Sequence, residues 1–414
     1  MKNYIEKFKK DNEFKIIVEF AFLQFFFWST WSIYGAYLVY YLGDIGYSNM
    51  RIGLMTSLRT FTGLIGPPVI GYLCDKIENR RKVFMFSMFM LALVITPFTY
   101  YGDLMIIIAV GLAGFLWEPQ QSVLDSWILE TSLNTADNYG FMRAWGSIGY
   151  AFTVTLFGHI IEKFGWQFHF AGYGIYVLML LITAYSIKDN SYMRVKAKRQ
   201  KLKKEGKELK SSDKNILRLF KNKEYIFILF IILLIFIPAM MVFVYLAPII
   251  KSVGGDSTDL GYTLFFNALS EAPIFFAAKY FLKRFKTKTL LLFSASAYLL
   301  RIVIAAVAVS PTYMLFFGMM QSLSFGVFLV TVRYYVQKVA PDELKTTAQS
   351  IALMAGFGAG GIIASLLGGY LIDNFGLDIM LRAAIILSTA AILVLILSII
   401  MDRVDFNKAN STNR

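Results

Sequence analysis

The sequence has little of what a soluble or secreted protein depends on. It contains one cysteine, Cys74, and this excludes an intramolecular disulfide framework. Only 16% of its 414 residues are charged, whereas soluble domains average about 25%. Because 57% of the residues are hydrophobic, no water-soluble core could hide this much apolar surface in one chain. The composition therefore predicts an integral membrane protein.

Histidine is nearly as scarce as cysteine, and its scarcity limits the chemistry. The two histidines, His159 and His169, flank a short loop, where we expect them to lie at the membrane interface. Neither is placed to act as a base for a buried serine, and no metal-ligand cluster or phosphate-binding loop occurs. We therefore expect neither an enzyme nor a protein with a cofactor or a bound metal.

Long apolar runs are what the sequence has in abundance. Each is about 20 residues or longer, which is enough to cross the hydrocarbon core of a bilayer. The runs cover residues 14–42, 50–74, 83–101, 103–129, 140–162, 166–187, 224–251, 258–282, 288–309, 311–338, 346–372 and 377–401. They predict an all-α polytopic membrane protein with twelve transmembrane helices. The first run is expected to be retained as a spanning helix rather than cleaved.

The distribution of basic residues predicts the orientation of the chain. The net charge is +14, but the lysines and arginines collect in short segments between apolar runs, so nucleic acid is not an expected partner. Fourteen of the 41 lie in residues 188–223. Basic loops stay on the cytoplasmic side, so both termini are predicted to be cytoplasmic, in the cell (inner) membrane. Segment 188–223 is then a basic linker between an N-terminal bundle, 1–187, and a C-terminal bundle and tail, 224–414.

A short internal repeat supports two related halves. "GHIIEKFGW" at 158–166 aligns with "GGYLIDNFGL" at 368–377, at an offset of 211 residues. The alignment pairs the fifth span with the eleventh. It predicts two pseudo-symmetric bundles of six helices each.

Charged residues inside the apolar runs are the main functional candidates, because a charge near the bilayer centre costs at least about 2.5–3.5 kcal/mol. Asp125 and Glu118 share one face of the fourth span. Arg143 lies near the start of the fifth span, which is its antiparallel neighbour. We expect Arg143 to face Asp125, with Glu118 or Glu130 as alternative partners.

The C-terminal half repeats this arrangement. Glu271 lies in the eighth span and Arg301 in the ninth, and a short loop joins the two. For each pair of charges, two interpretations stay open: a structural ion pair, or the handling of a substrate or proton.

Polar and aromatic residues of two further spans are candidates for ligand contacts. Gln24, Trp28 and Trp31 fall on one face of the first helix and could contact a planar or sugar-like ligand. Aromatic packing is the alternative interpretation. The tenth span contributes Gln321 and Ser324.

The loop between the second and third spans resembles a family signature. In "GYLCDKIENRRK", five residues fall at the spacing of the loop motif of the major facilitator superfamily: Gly71, Asp75, Lys76, Arg80 and Arg81. The resemblance implies a cytoplasmic charge relay that acts as a gate. Glu78 stands where the motif usually has glycine, so we expect a different turn.

Other segments resemble the lactose permease-like and nucleoside–proton symporter-like branch of that superfamily. They are "YGFMRAWGSIGYA", "FLQFFFWSTW", "LSEAPIFF" and "YLLRIVI". The resemblance implies that Arg143 pairs with Asp125 and binds substrate. Gln321 and Ser324 replace a His and a Glu of the lactose permease, so Glu271 or Asp125 is the expected proton carrier.

Together these features predict a secondary active transporter that couples protons to a small polar solute, of sugar or nucleoside type, by alternating access. Gln24, Trp28, Asp125, Arg143 and Gln321 are the predicted substrate contacts, and Glu271, Arg301 and Asp125 are the predicted coupling residues. The expected partners are the small-molecule substrate, the proton and the lipid bilayer, and the expected state is a monomer. The alternatives are a carrier of aromatic acids, an exporter of hydrophobic compounds and, least favoured, a non-transporting membrane sensor.

Overall fold

A computed structural model describes residues 2–187 and 216–412. Twelve long helices follow one another along these residues, and they coincide with the twelve predicted spans. They are α1 (Lys2–Asp44), α2 (Asn49–Ile77), α3 (Arg80–Ile95), α4 (Asp103–Thr131), α5 (Tyr139–Phe164), α6 (Trp166–Ser186), α7 (Lys223–Val244), α8 (Ser257–Arg284), α9 (Thr287–Ala306), α10 (Thr312–Val339), α11 (Asp342–Phe375) and α12 (Leu377–Thr412). Short helices at Leu133–Asp137, Leu217–Phe220 and Leu246–Ser252 connect or extend them.

The predicted polytopic helical fold is confirmed. Ten of the helices contain a stretch long and apolar enough to cross a membrane. The other two, α2 and α8, are 29 and 28 residues long and lie where the second and eighth spans are predicted. Helices suit a bilayer because each satisfies its own backbone hydrogen bonds within the segment.

Two glycines give the internal repeat a structural counterpart. Gly165 ends α5 and Gly376 ends α11, with φ of 82° and 89°. Each donates its N–H to the carbonyl four residues earlier, of Ile161 and Ile372 respectively. This left-handed conformation is readily available to glycine and is a common way to end a helix.

Two helices of the C-terminal half change their winding inside the span. A π-helical turn occupies Ser322–Gly326 in α10, and another occupies Met354–Gly360 in α11. Such turns occur frequently at functional sites. The turn in α10 directly follows Gln321.

The described residues fall into two compact units. One unit contains residues 2–41 and 58–187, and the other contains residues 42–57 and 216–412. Residues 188–215 of the predicted basic linker lie outside the described residues, so the division at 188–223 stays a prediction. In the second unit, the core is built around aliphatic residues of α7 packed with Tyr225, Phe236, Tyr298 and Phe328.

His169 lies in the core of the first unit rather than at its surface. Its exposed fraction is 0%, and its Nε2 lies 2.8 Å from the carbonyl oxygen of Ile33. The rings of Tyr37, Phe157 and Trp166 pack edge-on around it. This aromatic cluster encloses the imidazole, and its placement at the depth of the membrane interface stays a prediction.

Candidate functional site

Asp125 of α4 is held by two polar neighbours in the first unit. Gln24 of α1 donates from Nε2 to Asp125 Oδ1 at 3.4 Å, and the Tyr139 hydroxyl also hydrogen-bonds to this carboxylate. The short helix Leu133–Asp137, capped by Ser132, turns the chain between α4 and α5. That turn brings the start of α5 back alongside Asp125.

Arg143 faces both an aromatic ring and this carboxylate. Its guanidinium carbon lies 4.2 Å from the ring centroid of Trp28, and its positive charge acts on Asp125. Attraction between a guanidinium and an indole face lowers the cost of keeping the cation inside a span. The structure thus brings together four of the predicted substrate contacts: Gln24, Trp28, Asp125 and Arg143.

Two further acids of α4, Glu118 and Glu130, have different partners. Glu130 forms a bidentate ion pair with Arg80 of α3, with Nε–Oε2 and Nη2–Oε1 distances of 2.6 and 2.7 Å. Glu118 interacts electrostatically with Arg59 of α2. Asp125 is therefore the α4 acid that lies beside Arg143.

Arg59 is a charged residue inside the second apolar run, and it is not among the predicted site residues. Its guanidinium carbon lies 4.9 Å from the ring centroid of Trp31. Trp31 in turn lies against Trp117, with ring centroids 4.0 Å apart. The position of an arginine inside an apolar run is the sequence signal that could have singled it out.

Arg301 is the most enclosed guanidinium of the second unit, with an exposed fraction of 4%. Its Nε donates to the Phe317 carbonyl oxygen at 2.8 Å and its Nη2 to Asn267 Oδ1 at 3.1 Å. Its Nη1 donates to Ser324 Oγ at 3.2 Å and also to Gln321 Oε1. These four acceptors are uncharged. Together they accept hydrogen bonds from four of the five N–H groups of a buried guanidinium, whose donors need hydrogen-bond partners.

Gln321 joins this guanidinium to Glu271. While its Oε1 accepts from Arg301, its Nε2 donates to Glu271 Oε1 at 2.9 Å. The structure therefore places Gln321, predicted as a substrate contact, between the two predicted coupling residues. Sequence spacing alone did not reveal this bridge.

The loop motif between α2 and α3 makes contacts within the first unit. Besides its pair with Glu130, Arg80 interacts electrostatically with Asp75. Arg81 donates to the backbone carbonyls of Ile187, at 3.0 Å, and of Tyr185. Gly71, Asp75 and Lys76 lie in the last turns of α2.

Glu78 is the described non-glycine residue that has a positive φ. Its φ is 55°, in the left-handed region that costs an L-residue roughly 1–2 kcal/mol. Glu78 therefore tolerates a strained conformation at the position where the motif usually has glycine, and the expected difference in the turn stays a prediction.

Among the described residues, no group of three or more His, Cys, Asp or Glu could hold a metal ion. The chain belongs to the MFS_1 like family, whose profile matches residues 17–383.

Its relatives are permeases and transporters rather than enzymes. The maltose permease of Geobacillus stearothermophilus is 24% identical over 383 residues, covering 91% of this chain and 92% of the relative. The sucrose permease of Escherichia coli is 22% identical, covering 88% of each. The crystal structure of the nucleoside transporter NupG matches with a TM-score of 0.79 at 14% identity, covering 93% of this chain and 98% of that one.

Proposed function

We propose that this protein is a proton-coupled symporter of a neutral, polyhydroxylated solute of sugar or nucleoside type. It acts by alternating access as a monomer in the cell membrane, with both termini cytoplasmic. The names of the relatives support this substrate class, since they include maltose and sucrose permeases, a nucleoside transporter and, among similar structures, a D-xylose-proton symporter.

The observation that carries the proposal is the Gln321 bridge. A direct buried ion pair is costly to break, by about 3–5 kcal/mol, because it leaves an uncompensated charge. Arg301 instead donates to four uncharged acceptors, and these bonds survive when Glu271 gains a proton. Glu271 is therefore suited to repeated protonation and deprotonation during a transport cycle.

The balance of charges favours a neutral solute. Each of three interior guanidiniums interacts with a carboxylate: Arg59 with Glu118, Arg143 with Asp125 and Arg301 with Glu271. A carrier of aromatic acids would need an uncompensated cation to bind the carboxylate of its substrate. Hydroxyl groups, by contrast, can accept from a guanidinium and donate to its neighbouring carboxylate.

Uptake by reconstituted protein tests the proposal. Proteoliposomes with an imposed inward proton gradient would be assayed with neutral sugars, nucleosides and aromatic acids, using wild type and Glu271→Gln. We expect gradient-driven accumulation of one neutral class by wild type. Glu271→Gln should lose that accumulation but keep exchange of labelled for unlabelled solute, which needs no net proton movement.

The matched control is Glu343→Gln, because Glu343 pairs with Arg218 at 3.2 Å on an exposed surface. Such pairs contribute little to stability, so this variant should accumulate solute like wild type. Accumulation that persists in Glu271→Gln would exclude Glu271 as the proton carrier. Accumulation of aromatic acids alone would exclude the neutral substrate class.

A further inference from the structure

Arg59 and Glu118 form a second pair of charges at the middle of a span. Glu118 lies one residue past the midpoint of α4, which runs from Asp103 to Thr131. Secondary transporters bind their substrates near the bilayer midplane. Asp125 lies seven residues further along, about 10 Å at the helical rise of 1.5 Å per residue. Along α4, Glu118 therefore lies closer to the middle of the span than Asp125 does, and Arg59 is its partner there.

Arg59 has donors for which the protein supplies no acceptor. Among the described residues, its Nε and Nη1 are buried and have no hydrogen-bond partner, while the residue as a whole stays partly exposed. Trp31 lies against the guanidinium and is itself backed by Trp117. The Trp31 ring faces the guanidinium but cannot accept hydrogen bonds in the plane of that group.

Glu118 supplies an acceptor beside these donors. Its side chain is exposed, and its negative charge acts on Arg59. Gly63 of α2 makes room for it, because a Cβ atom on Gly63 would lie only 2.6 Å from Glu118 Cγ. The pair thus offers N–H donors and a carboxylate acceptor within electrostatic reach of each other, with no net charge.

We propose that Arg59 and Glu118 form a subsite for adjacent hydroxyl groups on a neutral ring of the transported solute. Arg59 donates to the hydroxyl oxygens and Glu118 accepts a hydroxyl proton, and hydrogen bonds to charged groups are stronger than neutral ones. An anionic group would be repelled by Glu118, and an apolar group would leave the donors of Arg59 unpaired. This subsite rests on the proposed function and makes Arg59 a specificity-determining residue.

Discrimination between a solute and its deoxy analogues tests the subsite. The half-saturation concentration in exchange assays would be measured for the preferred sugar or nucleoside and for analogues that each lack one hydroxyl. A site built to bond a hydroxyl rejects the analogue that lacks it. Wild type should bind at least one analogue about tenfold more weakly than the parent, the effect of losing one hydrogen bond to a charged group. Arg59→Gln should bind the parent about tenfold more weakly and discriminate little between the two.

Two further variants sharpen the test. Arg59→Lys keeps the charge but not the planar fork of donors, so it should lose the same discrimination, and it decides the question if Arg59→Gln fails to fold. Arg51→Gln, which changes another arginine of α2, should behave as wild type.

The possible failures are distinguishable. Normal wild-type exchange with unchanged discrimination in the Arg59 variants overturns the subsite alone. The subsite is also overturned if Arg59→Gln keeps the wild-type half-saturation concentration but loses gradient-driven uptake. That result would assign Arg59 to proton coupling. A wild-type protein that carries no sugar or nucleoside overturns the proposed function and the subsite with it.

Discussion

Gln321 Nε2 lies 2.9 Å from Glu271 Oε1, while Gln321 Oε1 accepts from Arg301. One neutral amide therefore links the acid of α8 to the guanidinium of α9. Because an amide both donates and accepts, it can connect the two side chains in either protonation state of Glu271.

Removing this amide should abolish coupling. Gln321→Leu leaves a donor of Arg301 and an oxygen of Glu271 without their bridge, at about 1–3 kcal/mol for each unsatisfied group. We expect lost gradient-driven uptake and a lower unfolding temperature in detergent. Gln349→Leu is the matched control, because Gln349 donates to the Arg333 carbonyl oxygen instead. Uptake at the wild-type rate by Gln321→Leu would show that the bridge has no part in transport.

The turn after α2 should gain stability from glycine. Glu78→Gly relieves the strain of φ 55°, worth roughly 1–2 kcal/mol, but makes the unfolded chain more flexible by about 0.5–1 kcal/mol. The free energy of unfolding should therefore rise by about 1 kcal/mol or less, as measured by thermal or denaturant unfolding. Glu78→Ala keeps the strain and should show no gain. A Glu78→Gly protein less stable than Glu78→Ala would contradict this assignment.

Asp373 caps the first turn of α2 within the second unit. Its carboxylate accepts from the backbone N–H of Asn49 at 2.9 Å and of Met50 at 2.7 Å, and from the Asn49 side chain at 2.9 Å. Asp373→Ala should lower the free energy of unfolding by about 0.5–2 kcal/mol, the range of a lost helix cap. Asp373→Asn keeps an acceptor but loses the charge that favours a helix N-terminus, so it should fall between wild type and alanine. Equal stability of all three proteins would argue against the cap.

Arg80 and Glu130 tie α3 to the end of α4 near the loop motif. Their bidentate bonds of 2.6 and 2.7 Å join side chains that are only 25% and 31% exposed. Glu130→Gln removes the charge and one of the two acceptors, so we expect a loss of about 1 kcal/mol. Chemical unfolding of the variant measures this loss. A matched loss in Arg80→Gln, with no further loss in the double variant, would show that the two side chains act as a pair.

The sequence was most informative where neighbours along the chain are neighbours in space. The spans follow from apolar length. Asp125 lies beside Arg143 because α4 and α5 are joined by a short connection. The basic linker shows the limit of such reasoning, because its charge pattern predicts a side of the membrane but no structure.

Contacts between helices that are not sequential were not predictable in the same way. Gln321 comes between Glu271 and Arg301 because α8, α9 and α10 pack together, and a single span does not reveal its rotation. Arg59 acts electrostatically on Glu118 because α2 and α4 approach closely, and Gly63 leaves space for the acid. In the sequence, Gly63 lies one turn after Arg59. This spacing alone does not indicate that α2 packs against α4, so it could not predict the approach of Glu118.

Substrate-induced proton movement tests proton-coupled symport most directly. Lightly buffered cells expressing the protein would receive a neutral sugar or nucleoside while external pH is recorded, beside cells expressing Glu271→Gln. The account predicts alkalinisation on addition of the transported solute by wild type and none by the variant. Solute entry without any pH change in wild-type cells would contradict proton coupling.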